Sequence, residues 1–325
     1  MDPMKLLLNS KNEAVAYYAK RDLLGEPVGP ASDLWRCAEA RRLLRGQRPD
    51  GSWAVPATAA KYPDVNYCLA ETFRRLRALV GKYEFDRTHN AVERAAEYVF
   101  SCQTPEGCFR GMLCDQYAPY YDGLFTELLT RAGYGGDLRV EKTISWLLAQ
   151  RQGDGGWAHP MLAAGIGWRE QSYLSSHHAE PVPFDPGKPS SHSVTGMAIR
   201  ALTCYPNHRH DAVAIKAGEF LASRFFQADT YSSYRSPESW LRLQYPFWWN
   251  SLLMALDSLR LMGFKADHPQ VRLGLEWLAE HQSPDGLWET NYSRGAKRID
   301  SDKAREDRLW VSLAVCRVLA RFYAT

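Results

Sequence analysis

Long apolar runs are missing from this sequence. No window approaches the roughly 18 uninterrupted apolar residues of a spanning helix. The opening MDPMKLLLNSKNEAVAYY holds only a three-leucine run, too short for a signal peptide's apolar region, so the expected location is cytoplasmic. Runs of one charge are missing too. With 40 Lys and Arg against 37 Asp and Glu, the formal net charge is +3 and no basic stripe forms, which argues against a nucleic-acid partner. Paired cysteines are also absent: the seven cysteines include no C-x-x-C and read as reduced thiols. The even spacing of Cys102, Cys108 and Cys114 reads as coincidence, because a closed zinc site takes four ligands at tighter paired spacing.

Aromatic residues are plentiful, with 11 Trp and 17 Tyr, and at that density they must line or pack something. Part of the explanation is a repeat. Gln, three residues, Gly, one residue and an aromatic recur at Gln47 to Trp53, Gln103 to Phe109 and Gln282 to Trp288; a copy at Gln150 to Trp157 carries one extra residue. The wide gap before the last copy leaves room for a decayed fifth unit, with Gln227 and Tyr231.

Each copy follows a segment of helical periodicity with one polar face, predicted at 33 to 46, 89 to 102, 138 to 150, 209 to 225 and 268 to 281. Pro-Asp-Gly or Pro-Glu-Gly ends most of these helices, since Pro cannot continue a helix and Gly accepts a turn of positive φ. Each copy leads to a second helix that is apolar nearly all round and therefore buried: 64 to 80, 119 to 133, 192 to 205, 247 to 263 and 305 to 323, with 12 to 24 as a sixth. Six inner and five outer helices in alternation predict an all-α fold, an α/α toroid spanning 1 to 325 as one domain. Closure is favoured because the last helix lacks the polar cap an open array needs. A long irregular loop is expected at 158 to 191.

The Gln-x3-Gly-x-Trp copies resemble the QW motifs of squalene-hopene cyclases, and the helix alternation is similar to the β subunits of protein prenyltransferases. The resemblance implies that Gln47, Gln103, Gln150 and Gln282 stack on Trp53, Phe109, Trp157 and Trp288 as structural staples. It implies an apolar or isoprenoid small-molecule partner, peripheral membrane contact to reach it, and an enzyme of the cyclase (isomerase) or transferase type. The chain departs from both families' chemistry. It lacks the Asp-x-Asp-Asp acid motif of the cyclases, and Asp300-Ser-Asp302 lacks the thiol of the prenyltransferases' Asp-x-Cys zinc pair.

In a closed toroid the inner N-termini surround one mouth, where helix dipoles favour anions. This places Asp64, Tyr67, Tyr120, Tyr121, Asp122, His192, Trp248, Trp249, Asn250, Asp307, Arg308 and Trp310 at the entrance. Asp122, Asp64, Asp307 and His192 are the catalytic candidates; the aromatic residues, Asn250 and Arg308 are candidates to hold substrate, since aromatic walls and a raised-pKa acid suit a carbocation. Aspartates at helix starts are also common N-caps. No cofactor is expected on the leading reading; on the alternative, His177, His178 and His192 hold a divalent metal such as zinc, with Cys114, Cys204 or a carboxylate beside them. Arg294, Lys297, Arg298, Lys303, Arg305 and Arg308 form a basic loop that reads as a solvated surface or a diphosphate clamp.

Three functions fit: a terpene-cyclase-like protein acting on a polyprenyl or other apolar substrate in a central cavity, a non-catalytic lipid or peptide binder, and a metal-dependent prenyltransferase-like enzyme. A deep aromatic cavity favours a terpenoid, and a charged one does not.

Overall fold

The computed structural model describes residues 2 to 205, 207 to 230 and 236 to 323. Its helices are α1 (Met4–Leu8), α2 (Glu13–Tyr18, continued by a π-helical turn Ala19–Leu24), α3 (Ala38–Leu44), α4 (Tyr67–Tyr83), α5 (Asn90–Ser101), α6 (Pro119–Leu129, continued by Thr130–Tyr134), α7 (Leu138–Ala149), α8 (Pro160–Ala163), α9 (Trp168–Leu174), α10 (His192–Ala198), α11 (Arg200–Cys204), α12 (Ala212–Ser223), α13 (Leu252–Leu261), α14 (Pro269–Glu280) and α15 (Asp302–Tyr323). The one strand among the described residues is the short β1 (Met112–Asp115). The expected irregular loop contains α8 and α9.

The inner helices follow one another as α4, α6, α10 with α11, α13, α15 and α2, each packed on the next. Arg21 at the end of α2 closes the circle with two hydrogen bonds to Glu84, just past α4. Outside them, α3 and α5 pack on α4, α7 on α6, α12 on α10 and α13, and α14 on α13. The fold is thus the expected α/α toroid. One hydrophobic cluster runs through it from Leu7 to Val318.

The repeat turns lock the two rings together. In each explicit copy the aromatic backbone N–H donates to an inner-helix side chain: Trp53 to Thr72 (3.1 Å), Phe109 to Asp122 (2.5 Å), Trp157 to Thr195 (2.9 Å) and Trp288 to Ser312 (2.9 Å). The Gln amide closes its own turn on the glycine carbonyl, Gln47 on Gly51, Gln103 on Gly107 and Gln282 on Gly286. Gln47 and Gln103 also reach the next outer helix, at the carbonyls of Ala91 and Arg139. The glycine is fixed by space as well as by its positive φ: a Cβ on Gly51 would lie 2.1 Å from the Arg94 carbonyl oxygen.

The third copy departs from the expected register. Gln152 N–H bonds the Gly156 carbonyl as Arg48 bonds Ser52, Thr104 bonds Cys108 and Ser283 bonds Leu287. Arg151 therefore occupies the glutamine position, Gln150 caps α7, and the copy has no extra residue. In the expected fifth copy, Gln227 bonds back to Ser223, its carbonyl accepts from the Trp240 indole, and Tyr231 lies outside the described residues.

The largest correction concerns the inner helix expected from residue 247. It begins at Leu252, and the preceding chain, from Leu243 to Trp249, runs into the ring instead. Tyr245 stacks on Trp310 and donates to the Gly81 carbonyl, and Trp248 packs on Phe73. A Cβ on Gly81 would meet Pro246 at 2.7 Å, so α4 is glycine where this segment crosses it. Around Pro246 and Phe247 only about 20 Å³ stays free, room for about one water. The segment is a plug. It divides the toroid interior into separate recesses at its two ends.

Candidate functional site: two faces of a plugged toroid

At the expected mouth, the N-terminal face, the candidate residues are largely engaged in structure. Asp122 is fully buried; its Oδ1 accepts the Phe109 N–H, and it fills the position held by Thr72, Thr195 and Ser312 in the other copies. Burial raises its pKa well above the ordinary carboxylate value, and Oδ2 has no partner among the described residues. His192 is buried and stacked on Trp240 at 4.5 Å; burial lowers its pKa. Arg308 forms a two-pronged pair with the repeat acid Asp285 and a further pair with Glu289. The Tyr67 hydroxyl accepts the Lys61 and Tyr62 N–H groups. Tyr120 stacks on His159, and Tyr121 leans on Trp249. Trp310 is buried under Lys82 and bonds Glu306. Asn250 donates to the His192 carbonyl and, with Ser193, Arg242, Gln244 and Trp249, lines a recess of about 240 Å³.

Asp307 faces a larger recess of about 480 Å³ between α3, α4, α15 and the plug, with Arg77, Lys82 and Lys303. Burial raises its pKa. Of the basic loop, Lys303 alone lines this recess; Arg305 pairs with Asp300 and Asp302, and Arg298 with Asp285. Arg298, Arg305 and Arg308 of the loop are thus each paired with carboxylates.

The three histidines named for a metal do not meet. His177 stacks on Tyr173, His192 lies under Trp240 with Asp229 3.7 Å away, and among the described residues His178 is the one of the three that stands in a cluster of ligand-type groups. Those are Cys114 and Asp115 from β1, with Asp64 accepting the His178 backbone N–H at 3.2 Å.

The opposite face was not anticipated. There the C-terminal halves of all six inner helices surround a chamber of about 370 Å³, roofed by Tyr245 and Phe247 of the plug. It is lined by Arg21, Arg131, Arg200, Arg209, Arg317 and Arg321 against Asp22, Glu84 and Asp257. Arg200 is buried and fully engaged, binding Glu127 through two nitrogens, Asp257 at 2.8 Å and Ser258 at 2.9 Å, and so ties α6, α11 and α13 together. Arg317 pairs with Asp22, Arg321 with Asp257, and Arg21 with Glu84.

Counting Glu127 behind Arg200, six guanidinium groups face four carboxylates. Part of that excess offsets the partial negative charge of the helix C-termini. More donors remain. Arg131 lies 3.7 Å from Glu127, which Arg200 already occupies, and a third of its side chain is exposed. On three residues that line the chamber, Tyr18 Oη, Thr130 Oγ1 and Arg317 Nε are buried without a hydrogen-bond partner among the described residues. Arg21 and Arg317 lie over the Tyr18 ring at 4.9 and 4.5 Å, while burial pushes its hydroxyl pKa upward and keeps it a donor.

No family model matches the sequence, and no curated protein is similar to it. Similar solved structures include a protein from Actinoplanes (19% identity, covering 95% of this chain and 89% of that one, TM-score 0.44). A polysaccharide lyase gives 11% identity, coverage of 91% and 88%, and a TM-score of 0.47. The type II terpene cyclase MstE from Scytonema, in complex with its substrate geranylgeranyl dihydroxybenzoate, gives 15% identity, coverage of 86% and 93%, and a TM-score of 0.32.

Proposed function

We propose that the protein binds a small polar anion, phosphorylated or carboxylated, in the arginine-lined chamber. The observation that carries this reading is the excess of cations around one cavity, six guanidinium groups against four carboxylates, with Arg131 loosely held and partly exposed. A ligand with several acceptor oxygens would accept charge-assisted hydrogen bonds from guanidinium donors that the carboxylates leave free. The volume lies within the usual range for small-molecule sites, roughly 300 to 1,000 Å³. An extended polyprene needs an apolar tunnel, and the plug fills the axis where one would run. An isoprenoid substrate fits this reading only if its diphosphate enters the chamber.

The test is calorimetric titration with inorganic pyrophosphate, a uronic-acid disaccharide, geranylgeranyl diphosphate and detergent-solubilised squalene. At least one anion is expected to bind, more weakly as salt rises, and Arg131→Met should weaken it by about 10-fold or more. Binding of squalene alone, or of no anion, would overturn the reading.

A further inference from the structure

We infer that Cys114, Asp115 and His178 form a divalent-metal site of the zinc class on the N-terminal face. The three side chains come from two distant stretches of chain, and their ligand atoms lie within 4.8 Å of one another. His178 Nδ1 is 3.6 Å from Cys114 Sγ and 2.9 Å from Asp115 Oδ2. A tetrahedral zinc with ordinary bond lengths holds sulfur and nitrogen about 3.5 Å apart, and nitrogen and oxygen about 3.3 Å apart. The two sides that meet at His178 are already close to that size, and the third is no longer than 4.8 Å.

Two further features separate this triangle from a casual surface ion pair. Cys114 is buried, so its thiol is not merely a solvated neighbour, and it adopts φ +50°, a left-handed conformation that costs a non-glycine residue about 1 to 3 kcal/mol. The consecutive Cys114 and Asp115 both reach His178. The histidine is also fixed from behind, by its own N–H to Asp64 and by the Ala179 N–H to Asp115. Mixed sulfur, nitrogen and oxygen donors suit zinc better than magnesium or calcium.

Three protein ligands leave a fourth position. His178 is 70% exposed, so that position opens to solvent and would hold water or a substrate oxygen, while Asp64 stands 3.8 Å from Nε2, outside the three ligands. The metal would also clip the segment that follows α9 to β1, just before α6. The site lies on the face opposite the chamber, so neither reading depends on the other.

Elemental analysis of untagged full-length protein purified without added metal decides the matter. About one zinc per chain is expected, lost in Cys114→Ser and His178→Gln and retained in His177→Ala. Cobalt exchange should give a thiolate charge-transfer band that Cys114→Ser abolishes. Because His178 is exposed, His178→Gln should fold even where Cys114→Ser does not. Substoichiometric metal after zinc dialysis, or full zinc in either ligand variant, would overturn the assignment.

Discussion

At Asp122 a carboxyl stands where the other three explicit repeat turns use Thr72, Thr195 and Ser312 to accept the same backbone N–H. The hydrogen bond needs only one neutral oxygen. Because burial raises the folded pKa above the unfolded value of about 4, Asp122 contributes its full stability only below that pH and loses it as pH rises towards the folded value. Asp122→Asn keeps the acceptor and removes the titration. It is expected to be more stable than the parent by about 1 kcal/mol or more at neutral pH, with the gap narrowing in acid, as read by urea midpoints. A parent and variant with parallel pH profiles would show that the carboxyl is not protonated in the fold. His159 works in the opposite sense. Burial lowers its pKa to about 4, so the parent should lose stability as pH falls from about 6.5, and His159→Gln should flatten that acid limb.

At the scale of the element, the repeat turns were legible in the sequence because glutamine, glycine and an aromatic at fixed spacing each have a separate physical task. The glycine task is the strictest. Gly51→Ala is expected to cost more than about 3 kcal/mol, since the new Cβ would strike the Arg94 carbonyl at 2.1 Å, whereas Gln47→Ala removes hydrogen bonds worth about 1 kcal/mol each. Thermal unfolding of the two variants checks the order. The third turn's register was misread because Gln150 lies one residue from the true position, held by Arg151. The plug was misread because Phe247, Trp248 and Trp249 extend the apolar pattern of α13, and apolar residues packed inside a ring look the same in sequence as apolar residues of a buried helix. Phe247→Ala should cost about 3 to 5 kcal/mol in denaturant unfolding, as a core truncation does, rather than the small effect of a surface loop.

At the scale of the whole molecule, the toroid and the ring order follow from alternation of helix character, but the working end does not. Dipole reasoning directed attention to the inner N-termini. The overlooked signal was charge inside helices otherwise apolar: Arg131 in TELLTRAGY, Arg200 in GMAIRALTC and Arg317 in AVCRVLARF. A cation on a buried face must find a carboxylate, a ligand or water, and here all three converge on one chamber. Similarly, Cys114 and His178 were each visible in the sequence, while their meeting depends on how the segment through α9 folds back over β1.

The most direct test is the position of a bound anion in crystals soaked with a heavy oxyanion such as tungstate. Anomalous density is expected in the chamber, within hydrogen-bond reach of Arg131 and Arg317. Density confined to the N-terminal recesses beside Asn250 or Asp307, with an empty chamber, would contradict the proposed anion site.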